Sequence, residues 1–190
     1  MPKLTAKDLA QRLRRIRVVL MDVDGVLTDG RLYHFVDPSG ALVEFKGIHA
    51  QDSIALNWLA QLGLKTGIIS GRVSKGVAER MKILEMTYVY QHRLDKKTVF
   101  DEICRDAGAA PEETLFIGDD IQDLPVLRAA GVGVAVPNAR PEVQAEADWI
   151  TSRPGGDGAV REVAESILKA QGLWAKVLAR FGCSVDSMQA

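Results

Sequence analysis

Ile16-Arg17-Val18-Val19-Leu20-Met21-Asp22-Val23-Asp24-Gly25 decides the architecture. The run is short, almost wholly apolar and without polar alternation, and it closes on two acids and a glycine. That is the pattern of a strand buried on both faces of a parallel sheet and stopping at a loop. Further strands are expected over 66–69, 88–90, 114–117 and 132–136, with a last one over 149–151. Helices are expected between them: 52–61 stopped by Gly63, 74–84 with Ser74 as N-cap, 95–107 ended by Gly108, then 124–129 and 159–170. Thr5 with Asp8 three residues on signals an opening helix to about residue 15. One pair of segments breaks the rhythm: 31–36 and 41–46, parted by Asp37-Pro38-Ser39-Gly40, read as a β-hairpin around a type I turn. The alternation predicts an α/β fold, a Rossmann-like, mostly parallel sheet with helices on both faces. The hairpin (31–46) is an insert, 171–190 is a tail, and 1–190 is expected to form a single domain with no room for a cap domain.

Composition narrows the function. The 190 residues are 47% hydrophobic and 26% charged, enough to bury a core without disulfides or metal staples. Twenty-four basic residues against 25 acidic ones leave a net charge of −1, which argues against bulk attraction to nucleic acid or anionic lipid. No apolar run approaches the ~18 residues of a membrane span. The basic N-terminal stretch lacks the apolar segment of a signal peptide. Cys104 and Cys183 make no disulfide framework and no C-x-x-C zinc site, so a reducing, cytoplasmic setting is expected.

Chemistry is concentrated where strands end, which is where open α/β sheets bind ligands. Asp22 and Asp24 close the first strand; burying both without a counter-charge would cost several kcal/mol, so they call for a cation or an open cleft. Ser70-Gly71-Arg72 follows the strand over 66–69 and offers a hydroxyl, a flexible N–H and a guanidinium to an anion. Lys96 is expected in the loop after 88–90. Gly118-Asp119-Asp120, with Asp123 just beyond, follows the strand over 114–117. Each piece alone has a bland reading: solvated turn, helix cap, surface lysine. All four in this order, three of them closing apolar strands, point to one functional site.

Asp22 to Gly30, Ser70, Lys96 and Gly118-Asp119-Asp120-x-x-Asp123 resemble the four motifs of the haloacid dehalogenase superfamily. The hairpin, the Ser-Gly-Arg form of the second motif and Gly155-Gly156-Asp157-Gly158-Ala159-Val160-Arg161-Glu162 resemble the 3-deoxy-D-manno-octulosonate 8-phosphate phosphatases. The resemblance implies a Mg2+-dependent phosphomonoesterase acting on a phosphorylated 3-deoxy-2-ulosonic acid. Asp22 would be the nucleophile, Asp24 the general acid and base, and Ser70 a phosphoryl holder. Lys96 would balance charge. Mg2+ would be held by the Asp22 carboxylate, the Asp24 main-chain carbonyl and the Asp119 carboxylate, with Asp120 or Asp123 orienting that shell. Gly71, Arg72, Arg80 and Asp52 would face the sugar acid. The chain departs from the family at Asp52-Ser53-Ile54-Ala55, where an Asp-Gly-x-Gly stretch is usual. The glycines of 155–158, at a helix start, suit either a flexible turn or an anion. Family pattern further implies a homotetramer built through Leu32, Phe35, Leu42 and Phe45, with neighbours covering each site and neither nucleic acid nor membrane as partner. Two other readings are a phosphatase for a nine-carbon sialic-acid-type 9-phosphate and a non-catalytic oligomerisation module. Intact acids and Lys96 speak against the module.

Overall fold

The computed structural model describes residues 4–183, so the end of the expected tail, 184–190, lies outside the described residues. A six-stranded sheet carries β1 (Val18–Met21), β4 (Lys65–Ile69), β5 (Tyr88–Tyr90), β6 (Thr114–Gly118), β7 (Val132–Ala135) and β8 (Trp149–Ile150) in the order β5-β4-β1-β6-β7-β8. Every pairing is parallel. β1 sits centrally: Val18 pairs with Lys65 on one side and Thr114 on the other. All four of its residues are buried, as are all of β6 and β7, which is why these strands show uninterrupted apolar runs. The hairpin strands β2 (Tyr33–Val36) and β3 (Leu42–Phe45) form a separate antiparallel pair.

The helices are α1 (Ala6–Leu13), α2 (Ala50–Gln61), α3 (Lys75–Ile83), α4 (Lys96–Ala107), α5 (Leu124–Ala129), α6 (Pro141–Glu146), α7 (Ala159–Ala170) and α8 (Trp174–Ala179). α2 and α7 pack together with α1 beside α7, while α4 packs against α5. Capping follows local chemistry. Thr5 accepts from the Asp8 amide at 3.2 Å, Ser74 from Val77 at 3.4 Å, and Gly108 ends α4 at φ 58°. Two α-helices went unread in the sequence, α6 and, inside the tail, α8. Lys96 is the first residue of α4, capped by Asp95, rather than a loop residue. Between β1 and β4 lie only the hairpin and α2, and between β4 and α4 only α3 and β5, so no cap domain is inserted.

Candidate active site

The chain moves from β1 to β4 and β5 on one side, then crosses to β6 on the other. This reversal opens a crevice at the carboxyl ends of β1, β4 and β6. A cleft of about 370 Å³ lies there, lined by Asp22, Asp24, Ser70, Gly71, Arg72, Asp119 and Asp120, together with Leu94 and Gln122. Residues up to 100 positions apart in sequence therefore share one cleft.

Lys96 anchors it. Its side chain is wholly buried, with Nζ 2.8 Å from Asp22 Oδ1 and 2.6 Å from Asp123 Oδ1. Burial works against an ammonium, but Asp123 and Asp22 outweigh it and hold the Lys96 pKa above the ordinary lysine value. The other oxygen of Asp123 accepts from the amides of Asp119 and Asp120 at 2.9 and 3.2 Å. Asp123 thus fixes both the lysine and the loop that carries Asp119. Asp120 instead turns its carboxylate to the Ile121 amide at 2.7 Å.

Carboxylate oxygens of Asp22, Asp119 and Asp123 lie within 4.8 Å of one another. Burial, partly offset by Lys96, pushes Asp22 up to about 6. Burial and the negative charges of Asp22, Asp123 and Asp120 push Asp119 up to about 8. One Asp119 oxygen, Oδ1, is buried with no hydrogen-bond partner. Crowded acids, an orphaned buried oxygen and an all-oxygen donor set are what a hard divalent cation relieves, so these residues fit magnesium. Gly25 permits the arrangement: its φ is 91°, and a Cβ there would lie 2.2 Å from Asp119 Oδ2.

Ser70 is buried, and its Oγ accepts from the Arg72 amide at 3.2 Å. Arg72 reaches Asp24 Oδ2 at 3.5 Å and Glu44 at 2.6 Å. Arg80 stands one cavity over, in a recess of about 300 Å³ shared with Glu44, Lys46 and Ser74. Asp52 is not brought into the cleft. It is wholly buried, and its oxygens accept from the amides of Gly158 at 3.2 Å and Arg161 at 2.7 Å. Its role is to cap α7, and burial raises its pKa against those two bonds. The amides of residues 155–158 all have partners within the protein, so this stretch is a brace rather than an anion site. The Gly155 amide bonds Asn138, Gly156 bonds Val26, and a Cβ on Gly155 would lie 1.7 Å from the Gly25 carbonyl oxygen. Sequence reasoning missed Asn138, which ties Gly25 to Gly155, and Lys46, whose Nζ meets the Asp24 carboxylate at 2.6 and 2.8 Å.

A haloacid dehalogenase-like hydrolase profile matches residues 80–163. The 3-deoxy-D-manno-octulosonate 8-phosphate phosphatase of Escherichia coli strain K12 is 36% identical over 165 residues, 87% of this chain and 86% of that protein. Its counterpart in Yersinia pestis is 37% identical over 166 residues, 87% of each. The crystal structure of the Moraxella catarrhalis enzyme of the same name, in complex with magnesium ion, phosphate ion and KDO, superposes at a TM-score of 0.87. It is 37% identical, over 93% of this chain and 99% of that one.

Proposed function

We propose, since the chain belongs to the family of the 3-deoxy-D-manno-octulosonate 8-phosphate phosphatases within the haloacid dehalogenase-like hydrolases, that it is a magnesium-dependent phosphoric monoester hydrolase of that sugar acid phosphate. The observation that carries this reading is Lys96, buried between Asp22 and Asp123 beside the unpartnered oxygen of Asp119. A phosphate monoester dianion repels a carboxylate nucleophile, and this arrangement cancels that repulsion.

Asp22 and Asp119, with the Asp24 main-chain carbonyl, would hold magnesium, which when bound supplies charge neutralisation at the transferring phosphoryl group. Asp22 attacks phosphorus and forms an aspartyl phosphate. Asp24 gives its proton to the departing sugar oxygen, then takes one from the water that hydrolyses the phosphoenzyme. Ser70 and the Gly71 amide hold phosphoryl oxygens. Lys96 steadies Asp22 and spreads charge over the transferring group. Arg72 stands at the cleft mouth, half exposed, where its guanidinium can take the substrate carboxylate.

Assembly is part of the proposal. Leu32, Tyr33, Phe35, Val36, Leu42 and Phe45 are each 38% exposed or more. The pairing Tyr33–Phe45 and Phe35–Val43 puts the aromatics on one face and Leu42 with Val36 on the other, so the four apolar residues expected to share an interface are split between two faces. A homotetramer closed through the hairpins would bury both. A cytoplasmic location accords with Cys104 and Cys183, both free, and with the finding that no helix among the described residues is long and apolar enough to cross a membrane.

The deciding experiment measures phosphate release from 3-deoxy-D-manno-octulosonate 8-phosphate, from a nine-carbon 9-phosphate and from simple sugar phosphates, with magnesium and with excess chelator. Preference for the eight-carbon ester, lost in chelator, is expected. Full turnover in chelator, or preference for the nine-carbon ester, would overturn the reading.

A further inference from the structure

Lys46 follows β3 directly and comes from the hairpin, not from the sheet that carries the other site residues. Its side chain is 3% exposed, and its ammonium spans both oxygens of Asp24 at 2.6 and 2.8 Å. A buried ammonium so placed restricts the carboxylate to one rotamer, since rotation about the Asp24 side chain would break two charge-assisted hydrogen bonds together. A second anion is within reach of the same ammonium. Glu44 Oε1 lies 3.5 Å from Lys46 Nζ and is buried with no hydrogen-bond partner. The other Glu44 oxygen is held by Arg72 at 2.6 Å and faces His34 at 3.5 Å. Burial would raise the Glu44 carboxyl; the Arg72 hydrogen bond and the charges of Lys46 and Arg72 bring it below its ordinary value, so Glu44 is an anion.

We propose that Lys46 is a positioning residue that aims the Asp24 carboxyl at the leaving oxygen and at the hydrolytic water, with Glu44 as the alternate partner of its ammonium. The inference rests on Asp24 acting as acid and base in the reaction proposed above. As the bond from phosphorus to the sugar oxygen breaks, that oxygen takes the Asp24 proton. While Asp24 carries a proton, Glu44 keeps Lys46 partnered. When water attacks the aspartyl phosphate, Asp24 receives the water proton and Asp22 is released as a carboxylate. The hairpin thereby supplies part of the catalytic geometry.

The test uses the full chain with magnesium and two esters: the sugar acid 8-phosphate, whose alkoxide leaves poorly, and 4-nitrophenyl phosphate, whose leaving group needs little acid. Lys46→Met keeps the length of the side chain and removes its charge. Expected is a nitrophenolate burst equal to the enzyme concentration and within about threefold of the native rate. Steady turnover should then be slowed about 10- to 100-fold, part of the 10²–10⁴ an acid–base group contributes. Single-turnover cleavage of the sugar phosphate should fall by the same factor, and Lys46→Arg should recover to within about tenfold of native. Sugar phosphate turnover by Lys46→Met within about threefold of native would overturn the inference, as would loss of the burst together with turnover, which marks damage at Asp22 instead. An unmodified protein that cleaves neither ester would sink the proposed function and the Lys46 role together. Native cleavage with an unaffected Lys46→Met variant would remove the Lys46 role alone.

Discussion

Replacing Lys96 with methionine removes a cation that touches both Asp22 and Asp123, at 2.8 and 2.6 Å, while keeping the volume of a wholly buried side chain. Stranding buried charges in this way costs about 3–5 kcal/mol. For a chain of this length each kcal/mol lowers Tm by about 2–4 °C, so a drop on the order of 6–20 °C is expected in metal-free buffer at pH 8. The pH dependence has a definite sign. Asp22 and Asp119 have folded values of about 6 and about 8, above their ordinary 3.8. Between roughly pH 4 and 8 the folded chain therefore binds more protons than the unfolded one, and metal-free stability falls as pH rises through that window. Loss of Lys96 deepens the fall, because the lysine lowers both carboxyls. The gap between native and Lys96→Met should thus be widest near pH 8, narrow toward pH 5, and shrink at pH 8 when millimolar magnesium is added. Calorimetry or near-UV circular dichroism against temperature, at both pH values, reads all three. Equal Tm values at pH 8, or a gap that widens on acidification, would show that Lys96 does not stabilise the buried carboxylates.

Asp22→Asn should lower phosphate release by about a thousandfold or more, because an amide cannot form the phosphoenzyme; acid-quenched protein should retain no labelled phosphate. Asp52→Ala should destabilise by about 1–3 kcal/mol through two unsatisfied amides at the start of α7, yet leave kcat within about threefold, because the residue lies outside the cleft; denaturant unfolding and steady-state kinetics separate the two effects. Phe35→Asp combined with Phe45→Asp should convert a tetramer to smaller species in sedimentation. It should also raise KM for the sugar phosphate more than for an aryl phosphate, which gains little from a cover over the site.

How much was legible depends on where the physics acts. The ends of β1, β4 and β6 could be read because a strand buried on both faces has an unbroken apolar run, and whatever polar residues close it stand out. Capping was equally local: Thr5, Ser74 and Gly108 act within their own turns. Pro141–Glu146 escaped because a six-residue helix with Val143 as its buried side chain shows no period. Lys46 and Glu44 escaped because their partners are set by the hairpin folding back onto residues 22 and 28 positions away. Asp52 was assigned to the sugar side by resemblance alone. Its carboxylate faces amides 106 and 109 residues downstream, a contact that only the packing of α2 on α7 creates.

The buried charges of Asp22, Lys96 and Asp123 also impose an order on folding. They arrive from the end of β1, the start of α4 and the turn after β6, with successive members 74 and 27 positions apart. None can shed its hydration shell cheaply before the others are in place, since a lone ion in an apolar interior is costly. The central strands must therefore align while this corner is still wet, and expulsion of its water becomes a late, concerted step. Such a step adds to the loop-closure entropy already demanded by a parallel sheet, and so slows the final consolidation of the native chain. The residues proposed as the reactive centre thus mark the last part of the core to become dry.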